Sequence, residues 1–153
     1  MQCVNETINL ANQKLNQSFP IPQIIYRHKG SVGGTAHLTE WIIKLNTQLL
    51  IEHQKPFIDE VIPHELAHLF VFALYGRVKP HGQEWQSIMC DILGKVPKRT
   101  HQFTNSMLEK TRIPYQCGCQ THYLTKIRHQ KIQQKKLEYI CKRCNNSLKL
   151  HNN

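Results

Sequence analysis

The sequence predicts an α+β protein in which a helix, a small antiparallel sheet, a second helix and a short cysteine-bearing module follow one another. Apolar residues recur at helical spacing in residues 3–17. In residues 20–45, β-branched runs alternate with Pro and Gly turns, and residues 61–75 are apolar over several helical turns. The 153 residues are enough for one domain with a small appendage and a modest core.

The first helix and the sheet are predicted from local patterns. Val4, Ile8 and Leu15 fall on one face of a helix in residues 3–17. Two prolines precede a β-branched run, and a Gly-Gly pair marks a turn before two further runs. The strands expected from these signals are residues 24–28, 35–38 and 41–45.

A longer helix is expected to begin near Pro56 and to end at about Tyr75, where Gly76 is placed to terminate it. A short helix or turn at 49–54 precedes it, and another helix is expected at 82–93. These limits divide the chain into a core of residues 1–93, a linker of residues 94–114 and a cysteine module of residues 115–150.

His64, Glu65 and His68 form the pattern HExxH within the long helix. Residues four apart share one helical face, so both imidazoles can bind the same ion. Glu65 lies one step round the helix, where its carboxylate can take a proton from a metal-bound water. The metal lowers the pKa of that water towards about 7 and polarises the scissile carbonyl. The pattern favours a catalytic zinc with Glu65 as general base over a helix whose histidines are only solvated or hydrogen-bonded.

A catalytic zinc needs a third protein ligand and an open fourth position. The metzincin extension is excluded, because it requires Gly and His where this chain has Val71 and Leu74. His81, at the start of the next helix, is the favoured third ligand, since neutral imidazole suits zinc and Gly82 permits a close approach. Glu84 is the alternative, because another class of zinc protease uses a later Glu on a neighbouring helix.

Four of the six cysteines form two close pairs, Cys117 with Cys119 and Cys141 with Cys144. In a chain without a secretion signal, paired cysteines favour a metal over disulfides. The second pair has the CxxC spacing of a zinc knuckle, whereas the first is shorter by one residue. We therefore expect a structural zinc with four thiolate ligands, or with His122 replacing one of them. A metal-free ribbon is the alternative.

Positive charge is concentrated in the last 60 or so residues of the chain. The formal net charge is +10, and thirteen of the twenty Lys and Arg, but only two of the ten acids, follow residue 92. Between the cysteine pairs, bases alternate with aromatics along a predicted hairpin, where cations could neutralise phosphates and rings could stack on unpaired bases. The residues expected to bind DNA are Tyr123, Arg128, Lys131, Lys135, Lys136 and Tyr139. The alternative is a solvated basic hairpin whose tyrosines only pack on the ribbon.

Several segments resemble a known family. "HELAHL", "GRVKPHGQEW", "GGTAHL", "IKLN" and the CxC and CxxC pairs are similar to those of the bacterial branch of the SprT-like metalloproteases, relatives of the eukaryotic DNA-dependent protease Spartan. The resemblance covers roughly residues 15–150. It implies a zincin-like core with His81 as third ligand, followed by a zinc-ribbon-like module. For the Spartan relatives it also implies cleavage of proteins crosslinked to DNA.

The residues and the resemblance together predict a zinc metalloprotease that uses Zn2+ and acts on DNA-associated or DNA-crosslinked proteins. The expected partner is DNA, either single-stranded or containing a crosslink. A non-enzymatic, zinc-containing DNA-binding or regulatory protein is the rival, although a structural site has no need of Glu65. A metal hydrolase with another substrate is a third hypothesis. Since neither a bilayer-length apolar run nor a signal-peptide pattern occurs, we expect a cytoplasmic protein.

Overall fold

The protein is described by a computed structural model that covers residues 2–27, 30–101, 103, 106 and 110–151. The chain divides into two compact units, Met1–Asn105 and Ser106–Asn153, and the boundary falls inside the segment predicted as a linker. Helices and small sheets together make an α+β protein. Within the described ranges, no helix combines the length and the apolar character that crossing a membrane requires.

The first unit opens with helix α1 (Gln2–Leu15), which buries Val4, Ile8 and Ala11 as its helical period predicts. Three strands follow: β1 (Gln23–Arg27), β2 (Gly34–His37) and β3 (Ile42–Asn46). The predicted end of the first strand, at residue 28, lies outside the described residues. Strand β3 holds the centre of the sheet, and its Ile43 and Leu45 are almost fully buried.

The sheet is mixed, so the prediction of a purely antiparallel sheet is wrong. Strands β2 and β3 pair antiparallel, whereas β1 and β3 pair parallel. The chain reverses direction between successive strands, and a sheet built in sequence order would therefore be antiparallel throughout. The observed order is β1-β3-β2. Because β3 lies between the other two, it adjoins the strand that runs in its own direction.

Helix α2 (Thr47–Tyr75) carries the HExxH residues, and it begins at a defined cap. The side chain of Asn46 accepts hydrogen bonds from the backbone N–H groups of Gln48 and Leu49. The helix breaks at Gln54, where φ is 40° and ψ is −112°, two residues before Pro56. It ends at Gly76, whose φ of 70° favours glycine.

Helix α3 (Gln83–Ser87) continues directly into a π-helical turn, Ile88–Ile92, so that residues 83–92 form one helical segment. Side chains from all the helices and from β3 share a single core in this unit. Its most deeply buried members include Val4, Leu49, Phe57, Val61, Leu66, Phe70, Trp85 and Ile88.

The second unit contains a three-stranded antiparallel sheet of order β5-β4-β6 and a short helix, α4. The elements are β4 (Ile113–Gln116), β5 (Thr121–Leu124), α4 (Lys126–Gln133) and β6 (Lys149–Leu150). Tyr115, Leu124 and Cys141 are the buried apolar residues among those described in this unit. This core is small.

The basic stretch between the cysteine pairs is not a hairpin, and that prediction is wrong. Strand β5 is followed at once by helix α4, whose cap is the Thr125 hydroxyl accepting from the Arg128 backbone N–H. The helix is rich in Lys, Arg and Gln, unbranched residues with good helical propensity. These local preferences outweigh the alternation of bases and aromatics that favoured a hairpin.

Candidate metal centre

Three imidazoles converge at the surface of α2. His64 and His68 lie one turn apart on the helix, and His81 reaches them from the turn before α3. The Nε2 atoms are 3.0 Å apart for His64 and His81, 3.2 Å for His68 and His81, and 3.3 Å for His64 and His68. The His81 backbone has a φ of 56°, a left-handed conformation that few non-glycine residues adopt.

The spacing of these three nitrogens fits a bound zinc ion. A tetrahedral zinc with Zn–N bonds of about 2.0–2.1 Å holds its nitrogen ligands about 3.3 Å apart. Hydrogen bonds within the cluster cannot satisfy all three atoms, because each ring nitrogen either donates or accepts. A cation resolves the conflict by accepting all three lone pairs.

The electrostatics of the cluster keep the imidazoles neutral at neutral pH. Burial is the main cause that lowers the pKa of His64 to about 3 and that of His68 to about 4, and charge on neighbouring histidines adds to it. Burial also lowers the pKa of His81. Neutral imidazole is the form that binds a metal, so protons compete little for these nitrogens.

Trp85 packs beneath the cluster. Its ring centroid is 4.8 Å from that of His64, 4.8 Å from that of His81 and 5.6 Å from that of His68. Its side chain is almost fully buried, and its Nε1 donates to the His64 carbonyl at 3.4 Å. The indole therefore limits movement of all three imidazoles. Among the described residues, Glu84 does not belong to this ligand cluster, which consists of the three histidines.

Glu65 lies beside the cluster and is buried against β2. Only 5% of its surface is exposed, and this burial raises the pKa of its carboxyl to about 7, although the Ala36 backbone N–H and the charge of Arg27 act in the opposite direction. Gly34 is required for this contact, since a Cβ there would lie 2.8 Å from Glu65 Cγ and 2.9 Å from Oε1. A carboxyl group with a pKa near neutrality is suited to exchange protons.

A cavity of about 530 Å³ opens over this cluster. It is lined by the three histidines and Glu65, by residues 31–36 of the loop and strand β2, and by residues 99–101 with Phe103. Most of its lining is apolar, and the charged or titratable residues that line it are the histidines, Glu65 and Arg99. A cavity of this kind is the usual setting of a small-molecule or peptide site.

Sequence reasoning missed Glu60 and His101. The ring of His101 lies 4.8 Å from that of His64, and its Nδ1 is 3.2 Å from Glu60 Oε2. His101 falls within the predicted linker, 37 positions from His64 in the sequence. No local pattern in the sequence indicates the contact.

The four paired cysteines form the second cluster, and their sulfur atoms all lie within 4.8 Å of one another. Cys117 Sγ is 3.5 Å from Cys119 Sγ, which is 3.8 Å from Cys141 Sγ. A tetrahedral zinc with Zn–S bonds of about 2.3 Å places sulfurs about 3.8 Å apart, so the set fits this metal. The Nε2 atom of His122 lies 3.3 Å from Cys117 Sγ, beside the cluster and not within the four-sulfur group.

Tight turns bring these thiols together. The second pair has a knuckle geometry, in which the Arg143 backbone N–H donates to Cys141 Sγ at 3.4 Å. The turn closes at Asn145, with a φ of 53° and a 2.8 Å hydrogen bond from its backbone N–H to the Cys141 carbonyl. In the shorter first pair, the Cys117 backbone N–H bonds the Gln120 carbonyl at 3.2 Å. The missing residue of the CxC pair does not prevent a four-sulfur cluster.

The residues predicted to bind DNA lie on the second unit, and the structure groups only some of them. Lys135, Lys136 and Tyr139 line a groove of about 420 Å³, together with Lys149, which sequence reasoning did not include. The Arg128 guanidinium carbon lies 5.6 Å from the Tyr139 ring centroid, in a cation–π contact. The two remaining residues, Tyr123 on β5 and Lys131 on α4, are exposed outside the groove lining.

A helix-borne histidine cluster with an adjacent carboxylate, and a separate cysteine cluster, define an α+β protein with two potential metal sites. Residues 4–107 match the model of the SprT-like family. Three bacterial proteins named SprT are similar over nearly the whole chain. The one from Serratia proteamaculans is 48% identical over 97% of this chain and 88% of its own length, and that from Yersinia enterocolitica is 46% identical over 97% and 87%. The Cronobacter sakazakii protein is 43% identical over 99% and 92%. The chain belongs to the SprT-like family, and the resemblance found in the sequence is confirmed.

Proposed function

We propose that this protein is a zinc-dependent metalloprotease of the HExxH type, with a zincin-like core, that acts on proteins associated with or crosslinked to DNA. The observation that carries the proposal is the convergence of three imidazole Nε2 atoms, 3.0–3.3 Å apart, beside the buried carboxylate of Glu65. A structural zinc site does not need such a carboxylate, whereas a hydrolytic site does.

His64, His68 and His81 would hold the zinc, and the fourth position would be open to water and substrate. When bound, zinc supplies Lewis acidity, which lowers the pKa of a water and polarises a carbonyl oxygen. The Glu65 carboxylate takes a proton from the attacking water and later delivers it to the leaving amine. In the metal-free protein, burial raises the pKa of this carboxyl to about 7, so the group can both accept and release a proton near neutral pH.

The position of β2 supports a peptide as substrate. This strand is at one end of the sheet order, so among the described residues only β3 pairs with it. It also contributes Gly34, Thr35 and Ala36 to the lining of the cavity. An edge strand beside a reactive centre can bind an extended peptide through backbone hydrogen bonds.

The second unit supports an association with DNA. Its exposed Lys and Arg side chains, with two exposed or half-exposed tyrosines, provide charge for phosphates and faces for bases. Binding to the same strand as a protein substrate would raise the effective concentration of that substrate at the active site. We place this activity in the cytoplasm.

The test is a protease assay on a histone-like basic protein that binds DNA, with and without single-stranded DNA. Native protein should cleave it, and faster when DNA is present. Glu65→Gln should lower the rate by about 10²- to 10⁴-fold while retaining zinc, since it removes the base and not a ligand. If the Glu65→Gln variant cleaves at the native rate, the proposed mechanism is wrong.

A second comparison tests the role of DNA. Replacing Lys131, Lys135 and Lys136 with Ala should remove the stimulation by DNA and flatten the salt dependence of binding, because each phosphate contact releases counterions. A control variant also removes three positive charges, but at exposed positions of the first unit: Lys14, Lys55 and Lys95. Equal effects of the two variants would point to net charge alone. If no protein is cut with or without DNA, the regulatory-protein rival is the better account.

A further inference from the structure

Glu60, Lys98 and His101 form a hydrogen-bonded group outside the ligand set, and the ring of His101 lies against that of His64. His101 Nδ1 is 3.2 Å from Glu60 Oε2, and Lys98 Nζ is 3.1 Å from the other carboxylate oxygen, Oε1. Phe103 stacks on the His101 ring, with centroids 5.7 Å apart and planes inclined by 23°. The His101 side chain is only 11% exposed. The imidazole is therefore fixed on one edge by a carboxylate and on one face by a phenyl ring.

The neighbouring rings of His64 and His101 each have one buried nitrogen without a hydrogen-bond partner among the described residues. These atoms are His64 Nδ1 and His101 Nε2. Leaving either atom unpaired in the interior is costly. The two ring centroids are 4.8 Å apart. Two imidazoles joined by an N–H···N hydrogen bond of about 2.9 Å have centroids roughly 5 Å apart, so the separation of these rings suits such a bond, and a change in ring orientation would form it and satisfy both atoms.

We propose that Glu60 and His101 form the outer shell of the metal centre: His64 Nδ1–H donates to His101 Nε2, and His101 Nδ1–H donates to the Glu60 carboxylate. This order leaves His64 Nε2 as the unprotonated atom that faces His68 and His81. Histidine ligands of metals generally donate their second ring N–H to such a group, which fixes the tautomer and the ring orientation. His101 is thus a positioning residue that acts through His64, and the inference depends only on the metal-binding part of the proposed function.

The state of Glu60 supports this arrangement. Burial alone would raise the pKa of its carboxyl, but the hydrogen bonds from His101 and Lys98 outweigh burial and hold the pKa below its usual value. Glu60 is therefore an ionised acceptor at neutral pH. The backbone carbonyl of Lys98 is a competing acceptor for His64. It raises the pKa of His64, although the two groups do not have hydrogen-bond geometry.

The arrangement is tested by the affinity of the histidine cluster for cobalt and zinc in the full-length chain. Cobalt distinguishes the two clusters, because a thiolate site shows sulfur-to-metal charge-transfer absorption and a histidine site shows only d–d bands. His101→Phe keeps the ring packing against His64 and Phe103 but removes both nitrogens. We expect it to weaken metal binding at the histidine cluster by about 10- to 100-fold and to shift the d–d bands.

Two amide variants separate hydrogen bonding from packing and cover the case in which His101→Phe does not fold. The amide of Gln at position 101 reaches the place of Nε2, so His101→Gln should restore most of the affinity. The amide of Asn reaches only the place of Nδ1, so His101→Asn should retain the contact with Glu60 and still bind the metal weakly. Equal affinity of the two amide variants would contradict the proposed bond to His64.

A matched control perturbs the same segment without touching the ligand. His53 contacts Phe103 with ring centroids 4.9 Å apart, and it is absent from the cavity lining. His53→Phe should leave the metal affinity and the d–d bands at native values. If the metal affinity of the His101→Phe variant is within twofold of the native value, the proposed hydrogen bond from His64 to His101 is wrong. The Lys98 carbonyl is then the partner of His64. Failure of the native histidine cluster to bind either metal would instead refute the proposed function.

Discussion

The histidine and cysteine clusters differ in what holds their ligands together. His64 and His68 belong to a helix whose neighbouring residues fill the core of the first unit, and Trp85 packs on all three imidazoles. The cysteines lie on turns of a unit whose described residues bury little more than Tyr115 and Leu124. Both sets have the spacing that zinc requires, yet apolar packing alone can preform only the first.

The difference indicates that a bound metal would have a different role in each unit. In the first unit the fold positions the ligands, so a bound metal would not be needed for folding and could serve chemistry. In the second unit we expect the free energy of metal binding to replace that of a hydrophobic core. The predictions below begin with the largest difference expected between the two sites.

Removing the metal should unfold the second unit and spare the first. After treatment with a strong chelator, backbone amides of residues 110–151 should lose their protection from hydrogen exchange, whereas amides of α1 and of the core-facing part of α2 should keep it. Apparent zinc-binding free energies in small structural sites are about 10–16 kcal/mol, which exceeds what so small a core can supply. Mass spectrometry of exchanged peptides provides the measurement. The double variant Cys141→Ser and Cys144→Ser should behave in the same way, and equal loss of protection in both units would contradict this difference in roles.

Two glycines allow the rigidity of the sites to be compared. At Gly34 a Cβ would lie 2.8 Å from both Val61 Cγ1 and Glu65 Cγ, inside the packed core. At Gly118 the nearest atom, 2.6 Å away, is Nδ2 of Asn146, the end of a side chain that can rotate away. We expect Gly34→Ala to destabilise the first unit by about 1–3 kcal/mol and to displace Glu65, the proposed general base.

The glycine variants are measured by chemical denaturation and by cleavage rate. Gly118→Ala should change the stability of the second unit by no more than about 0.5 kcal/mol. Gly33→Ala is the control for Gly34→Ala, because its Cβ would meet Val61 Cγ2 at 3.2 Å, a milder contact. If Gly33→Ala lowers the cleavage rate as much as Gly34→Ala does, contact with Glu65 is not the reason for the loss of activity.

Acidification should weaken the metal-free first unit in a characteristic way. The pKa values of His64 and His68 are lowered to about 3 and about 4, so between the usual histidine value of 6.5 and these pKa values the unfolded chain binds more protons. Stability supplied by the neutral histidines is thus present above pH 6.5 and is lost as pH falls. Glu65, with its pKa raised to about 7 from 4.5, acts in the opposite direction between those two values.

The net pH dependence of stability is the sum of the contributions of these groups. Between pH 6.5 and 4.5, Glu65 offsets part of the histidine effect. Below pH 4.5 this offset ends and the His68 contribution fades near its pKa of about 4, while His64, with a pKa of about 3, and Glu60, whose pKa is lowered, continue to lose stability. Urea denaturation of the metal-free protein at several pH values measures this slope. His68→Gln should reduce the slope between pH 6.5 and 4.5 by about one proton, or about 1.4 kcal/mol per pH unit at most, because this window lies between the unfolded and folded pKa values of His68. A slope unchanged by this substitution would show that His68 does not titrate as its burial implies.

Local sequence patterns predicted the helix that carries His64, Glu65 and His68, because spacing along a helix is a local property. The mixed sheet was not predicted, since strand order depends on which strand is buried at the centre and not on any one strand's pattern. Helix α4 replaces the predicted hairpin because helical propensity and the Thr125 cap outweigh the alternation of bases and aromatics.

Contacts that join distant parts of the chain were the hardest to foresee. The structure brings His81 to the other two histidines through a turn with a positive φ, whereas the sequence alone left Glu84 open. The contact of His101 with His64 depends on residues 98–101 packing against α2, where Lys98 and His101 bond Glu60. Tertiary packing decides such a contact, and the sequence offers no periodic signal for it.

The most direct test of two distinct metal sites is the zinc content of protein purified without added metal, determined by elemental analysis. We predict two zinc ions per native chain, one per His68→Ala chain and one per chain of the double variant Cys141→Ser and Cys144→Ser. The single zinc of the His68→Ala chain should be held by thiolates, and that of the cysteine variant by histidines. Native protein with no zinc, or a His68→Ala variant that retains the full native content, would contradict the assignment of the histidine cluster as a zinc site.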